Sequence, residues 1–405
     1  MRKWFYSGLP KGLYALFAAR IINRLGDFVR FFLTLYLTRI LQLNEKATGL
    51  VVTLASAAVM IGTVAGGKLS DAFGHKRTML LAQFLSACAL IVCGFFPDRT
   101  FLPYLLIISQ FFFGAIRPAS QALLMDLTPP DMRQKAFSLL YLGINIGVAV
   151  GPMIAGFLFE HHRRLLFWGD AATSLIGLAV IWKLVPNTSA GTAEKTGETA
   201  EAEIGGSSIL VFLRRHIIVV FTFILMLSTL VYSQHSFTLP LLLNHLFQSD
   251  SARLFGIIMS VNAVTVILFT PLFLRLLQKK DASLNVVWGA AAYGIGFGML
   301  AFQIQSLPYL LLSTVIWTWG EIIFATNVGV FMAKHTPVNH RGRFAAIRHL
   351  FISGGQTLSP LLGGMLISAL GVRGVWYPVC GLSVFCAAAL YSIHRWDRKK
   401  KSKEL

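Results

Sequence analysis

PNTSAGTAEKTGETAEAEIGGSS, residues 186–208, is the one long polar stretch in a chain of 405 residues, and it falls close to the middle. Small residues and mild acidity without any apolar period mark a flexible connector that has no core to bury. Outward from it in both directions the composition reverses. The whole chain is 55% hydrophobic and 13% charged, with a mean hydropathy of +0.66, which is too apolar for a domain that must cover itself with polar side chains. Apolar runs fall at 13–41, 46–66, 79–97, 102–124, 136–159 and 164–185 before the connector, and at 216–246, 253–277, 284–304, 308–333, 343–369 and 375–394 after it. Crossing a hydrocarbon core takes roughly 20 apolar residues at about 1.5 Å each, so each run is read as one transmembrane helix. Several runs are longer than that, which implies tilt.

The two sides of the connector repeat one another. A shift of 208 residues carries Thr128, Pro129, Arg133, Gly147, Pro152 and Gly156 onto Thr336, Pro337, Arg341, Gly355, Pro360 and Gly364. The expected fold is therefore all-α, twelve transmembrane helices in two pseudo-symmetric six-helix bundles. These are residues 1–185 and 213–405, joined by a linker at 186–212. Parallel six-helix repeats suit a transporter that works a midplane site from both sides.

The net charge of +19 does not point to nucleic acid, because the Lys and Arg flank apolar spans and are concentrated on one side of them. That bias places both termini in the cytoplasm, with the basic tail from Arg395 onward at an anionic leaflet. The first apolar run holds Arg20, Arg24, Asp27 and Arg30 and no cleavage site follows it, so it is not read as a signal peptide. Cys88, Cys93, Cys380 and Cys386 lie in apolar spans at spacings that fit neither a metal site nor a redox pair. No phosphate-binding Gly-Lys-Ser/Thr loop and no HExxH is present, so an enzyme, a metal and a cofactor are not expected.

Between the second and third runs stands GGKLSDAFGHKR, residues 66–77. Gly67, Leu69, Asp71, Gly74 and Lys76 resemble the signature loop of the major facilitator superfamily, with Ala72 and His75 departing from its basic positions, and Arg77 next to it is a further residue of the expected latch. The resemblance implies a latch between the halves in which Asp71 pairs with basic residues of its own loop and with the chain near Arg343. Asp126 and Arg133 in DLTPPDMRQKA fit the next family loop. Glycines permit a tight turn and close approach, and a carboxylate at a helix end accepts backbone or Arg hydrogen bonds. In the second half Asp71 and Asp126 map onto Lys279 and Lys334, so any Asp-based latch is confined to the first. The fifth span, GINIGVAVGPMIAG, presents Gly143, Gly147, Gly151 and Gly156 with Pro152. Small residues at every fourth position let a neighbouring backbone come close. The pattern is similar to that of the family's drug:proton antiporters, and it also suits generic packing.

The first span carries Arg20, Asn23, Arg24, Asp27, Arg30, Thr34 and Thr38 within an arc of about 120° on an unbroken helix. An ionisable group at mid-bilayer costs about 2.5 to 3.5 kcal/mol, so this face meets water or its charges pair. Asp27 lies near the midplane and is the first candidate for proton exchange. Arg24, three residues earlier, offers the alternative of a structural ion pair. Glu321, in WTWGEIIFATN, and His235, the counterpart of Asp27, are further titrating candidates, each with a plain packing alternative. Asp170 lies just inside the sixth span. Where the family's exporters carry an Arg in the fourth span this chain has Gln110, and Arg117 lies on nearly the same face. The expected substrate cavity comprises Arg20, Asn23, Arg24, Arg30, Gln110, Arg117, Trp317 and Asn327.

By resemblance the mechanism is alternating access. The reading is proton-coupled export of a hydrophobic or amphipathic small molecule by a monomer in the cell membrane, its partners being substrate, protons and lipid. One rival is an exporter or facilitator of an anionic or lipid-like substrate that needs no proton on Asp27. The other is a membrane sensor or scaffold that transports nothing.

Overall fold

The computed structural model describes residues 8–129, 132–186, 212–278, 280–336 and 341–404. Most of the connector, Lys279 and Pro337 lie outside these residues. Among the described residues there are helices and no strands. In chain order they are α1 (Lys11–Leu25), α2 (Phe28–Leu35), α3 (Glu45–Phe73), α4 (His75–Phe95), α5 (Leu102–Leu127), α6 (Arg133–His161) and α7 (Arg163–Leu184). After the connector come α8 (His216–Tyr232), α9 (Gln234–Phe247), α10 (Ser251–Leu277), α11 (Ala282–Met299), α12 (Leu307–His335), α13 (Arg341–Gly374) and α14 (Trp376–Glu404).

Taking α1 with α2 and α8 with α9 as single passes, these helices trace the twelve expected spans. Among the described residues, length and hydropathy alone single out ten stretches able to cross a membrane, and the difference has two causes. Residues His216–Leu277 count as one run of 62, and the broken, charged α1–α2 pass does not qualify. The expectation of one continuous first helix is thus corrected. The chain leaves helical geometry at Gly26 and Asp27, where Gly26 closes α1 on the carbonyl of Ile22 at 3.1 Å and Asp27 has φ −70° and ψ 57°. Beyond α2 a π-helical turn, Tyr36–Ile40, completes the pass. The equivalent pass of the second repeat is interrupted at Ser233, between α8 and α9. A 208-residue shift brings that interruption onto the first one within a residue or two, so the break belongs to the repeat.

By contacts the chain divides into one unit of residues 1–196 with 247–263, and another of 197–246 with 264–405. In the first, α4 packs on α5 and α7, and α1 on α6 and α7. In the second, α11 packs on α12 and α14, and α8 on α13 and α14, which is the same arrangement between equivalent helices. Each has its own apolar core. Leu13, Leu16, Leu123, Leu139 and Ile181 are fully buried in the first unit, and Phe221, Val286, Phe331, Phe344 and Leu390 in the second.

Candidate functional site

The break in the first pass is held open from α7. A Cβ on Gly26 would stand 1.7 Å from Thr173 Oγ1, and one on Gly177 would stand 2.7 Å from the amide nitrogen of Asn23. Only glycine lets α1 and α7 meet so closely. The carboxylate of Asp170, one turn before Thr173, accepts the N–H of Val29 at 3.1 Å. It therefore satisfies one of the donors that the start of α2 leaves without an intrahelical partner. Asp27 precedes α2 but does not cap it with its side chain. Its Oδ2 instead takes Arg24 at 2.7 Å and Arg30 at 3.6 Å. Both guanidiniums also lie over the ring of Phe113, at 5.5 and 5.8 Å.

Asp27, Asp170, Arg20 and Arg24 share one cavity of about 50 Å³ with Asn23 and Gln110. Arg20 donates to Ser120 at 2.8 Å. Gln83 donates to Asn23 at 3.2 Å and to the carbonyl of Ser174. Among the described residues, neither Asp170 nor Arg20 has an oppositely charged partner within 4 Å. Two carboxylates thus face two guanidiniums in a space with room for water and little else. Of the residues expected in the substrate cavity, Arg20, Asn23, Arg24 and Gln110 line it. Arg30 is half exposed and Arg117 exposed, and neither lines it.

The glycines of α6 face α1 closely. Cβ atoms on Gly143, Gly147 and Gly151 would meet Phe17, Arg24 Cβ and the carbonyl of Leu25 at 2.5 to 2.9 Å. Gly156 and Pro152 continue the line against Ala252 and Gly256 of α10, within the stretch that groups with this unit. At the same end, Arg39 makes a two-pronged pair with Glu160 at 2.7 and 3.3 Å and donates to Ser251 at 3.1 Å. No sequence spacing announces this pair, whose members are 121 residues apart.

At the opposite end of α3, Gly74 turns the chain with φ +91°. Asp71 is exposed and has no ion pair among the described residues, and the side chain of Arg343 lies outside them. His75 makes the contacts instead, to Ser70 Oγ at 2.6 Å and to Asp126 at 3.7 Å. Lys76 donates to the carbonyls of Trp182 and Val185, at 3.0 and 2.6 Å, tying this loop to the end of α7. Gly67 has open space where a Cβ would go, whereas Gly66 would press on the backbone of Ala115 at 2.4 Å. Close approach therefore rests on Gly66. Arg77 is exposed, and Arg133 keeps a buried Nε without a partner.

In the second unit Trp317 is fully buried, stacked between Phe297 and His235 at ring separations of 5.7 and 5.5 Å. His235 also bonds the carbonyl of Tyr232 at 2.7 Å. Asn327 accepts from Asn285 at 2.8 Å and donates to the carbonyl of Ile323. Trp317 and Asn327, expected in the substrate cavity, are thus interior packing and hydrogen-bonding groups. Glu321 is partly buried on α12. A second cavity of about 320 Å³ opens among α8, α11, α12 and α13, walled by Tyr232, Tyr293, Phe324 and Arg348.

The family model described as Major Facilitator Superfamily matches residues 16–284 and 248–405. The chain belongs to this superfamily. An uncharacterised MFS-type transporter of Bacillus subtilis, YttB, is 26% identical over 401 residues, covering 97% of each chain. Multidrug resistance protein 1 of the same organism is 23% identical over 331 residues, covering 80% of this chain and 82% of its own. The crystal structure of the nucleoside transporter NupG superposes with a TM-score of 0.78 at 16% identity, over 95% of this chain and 99% of that one. This major facilitator is a multi-pass membrane transporter and not an enzyme.

Proposed function

We propose that this transporter exports a hydrophobic or amphipathic small molecule by alternating access, in exchange for protons, from the cytoplasmic membrane with both termini inside. The observation that carries the reading is the pair of buried carboxyl groups, Asp27 and Asp170, at the broken first pass. A proton on Asp27 removes the charge that holds Arg24. The freed guanidinium then turns to Asp170, which lines the same cavity. Loss of that proton restores the first pairing, so the break has two arrangements that protonation selects. Glu321 and His235 are candidates for a second titrating site in the other unit. The glycine face of α6 holds α1 in the register this exchange needs. The resemblance of part of the chain to a multidrug resistance protein supports the substrate class.

The test uses everted vesicles energised by a pH gradient and a panel of cationic, neutral and anionic fluorescent amphiphiles. The expected result is gradient-driven movement of at least one compound, lost in Asp27→Asn while downhill exchange persists. Full gradient-driven activity in Asp27→Asn removes Asp27 from the role. One observation favours a second reading, an anionic substrate that reaches the first cavity when it opens: among the described residues Arg20 has a hydroxyl for a partner and no carboxylate within 4 Å. Loss of anion movement in Arg20→Ala, with none in Asp27→Asn, selects that reading.

A further inference from the structure

The cavity of the second unit carries a charge that no carboxylate among the described residues answers. Arg348, on α13, lines it, and its Nε is shut off from solvent with no hydrogen-bond partner. Among the described residues no carboxylate lies within ion-pairing distance of this guanidinium. A cation inside an apolar span is costly, and a buried donor without a partner adds to the cost. Such a group is retained where something else supplies the acceptor. A guanidinium is a planar fork whose matching partner is a carboxylate or phosphate.

The other walls describe the rest of that ligand. Tyr293 and Phe324 stack with ring centroids 5.2 Å apart and planes 23° from parallel. Tyr232 continues the row at 5.6 Å from Tyr293. Leu225, Val328 and Ile352 add apolar surface, and Ser228 and Thr229 add hydroxyl groups. A volume of about 320 Å³ is at the small end of ligand pockets, and suits a molecule of one or two rings. Glu321 stands one turn before Phe324 and Ala325 on α12, and is not among the walls.

We infer that this cavity is a binding site for a small planar aromatic anion, its ring on the Tyr232, Tyr293 and Phe324 wall and its carboxylate on Arg348. The inference rests on the transport reading for its consequence, since it narrows the amphipathic substrate to one with an acidic group. Binding itself is testable without transport.

The purified full-length protein in detergent is titrated at neutral pH with 2-naphthoate, 2-naphthamide and 2-naphthyltrimethylammonium, following ligand-dependent rise in melting temperature. Naphthoate is expected to stabilise most. Arg348→Ala is expected to weaken it roughly ten- to a hundredfold, Arg348→Lys to weaken it less, and Phe324→Leu to weaken all three compounds together. Both arginine variants must elute as the parent protein does. Equal stabilisation by the three compounds, no stabilisation by any, or naphthoate affinity unchanged in Arg348→Ala and Arg348→Lys overturns the proposal. The transport reading fails separately. Proton-driven movement of an amphiphile together with no naphthoate binding leaves transport standing and this site refuted, whereas naphthoate binding without flux of any compound does the reverse.

Discussion

Gly26 is the residue at which the first pass is decided. Its missing side chain leaves Thr173 room to press against the chain where α1 ends, and this brings Asp170 within reach of the Val29 amide. Any Cβ at this position collides with a side chain that is branched at its own Cβ and has little freedom to turn away. Gly26→Ala is expected to destabilise the purified protein by about 1 to 3 kcal/mol, the usual range for overpacking, seen as a lower melting temperature in detergent. Adding Thr173→Gly removes the colliding atoms and should restore most of the loss. A double variant as unstable as the single one shows that the clash is not the cause. The carboxylates on either side of this glycine were differently legible. Arg24 and Asp27 are three residues apart, so a helix pattern alone foretells their pairing. Asp170 is 141 residues from its partner amide, and only packing reveals the relation.

Between elements, close approach follows glycine, but the glycine concerned is not always the one a motif names. The Gly67 position of the signature loop offers free space, while its neighbour Gly66 faces the backbone of Ala115 and Gly62 faces that of Phe111. Gly66→Ala is expected to lower the melting temperature through the α3–α5 contact, and Gly67→Ala to leave it unchanged. The pair is compared in one detergent, and equal effects refute the assignment. The same distinction explains what the loop was expected to do and where its contacts fall. Asp71, the acid of the motif, is exposed among the described residues. His75, which stands where the family has an Arg, reaches Ser70 and Asp126. Residue type and spacing indicate that a charged loop is present, but the choice of which member makes contact depends on the rotation of α4 about its axis, and no local pattern states that.

For the whole molecule, twelve passes in two repeats were legible because the bilayer permits few structures. With no water to satisfy backbone groups, apolar runs of this length form helices, and a 208-residue self-similarity then orders them. The recurrence of the same packings in each unit extends the resemblance from glycines and prolines to whole helices. The cavities were less legible. Cavity walls draw on three or four helices each, and Tyr232, Tyr293, Phe324 and Arg348 are spread across 117 positions of sequence with no shared spacing. The expected orientation rests on charge. With Lys and Arg concentrated on the side of the connector, reporter enzymes active only in the cytoplasm are expected to work when fused after residue 405 or within 187–211, and to fail when fused in the 97–101 turn. The opposite pattern refutes the placement of both termini.

The interrupted first pass also bears on how the chain is made. Broken into helices too short to qualify as a span, it is made before α7, yet the group that satisfies the amide of Val29 belongs to that helix, the last before the connector. Until then the start of α2 has no answer to its open donor. A chain that ends before α7 is therefore expected to leave the first pass incompletely inserted, and one that ends in the connector to insert it.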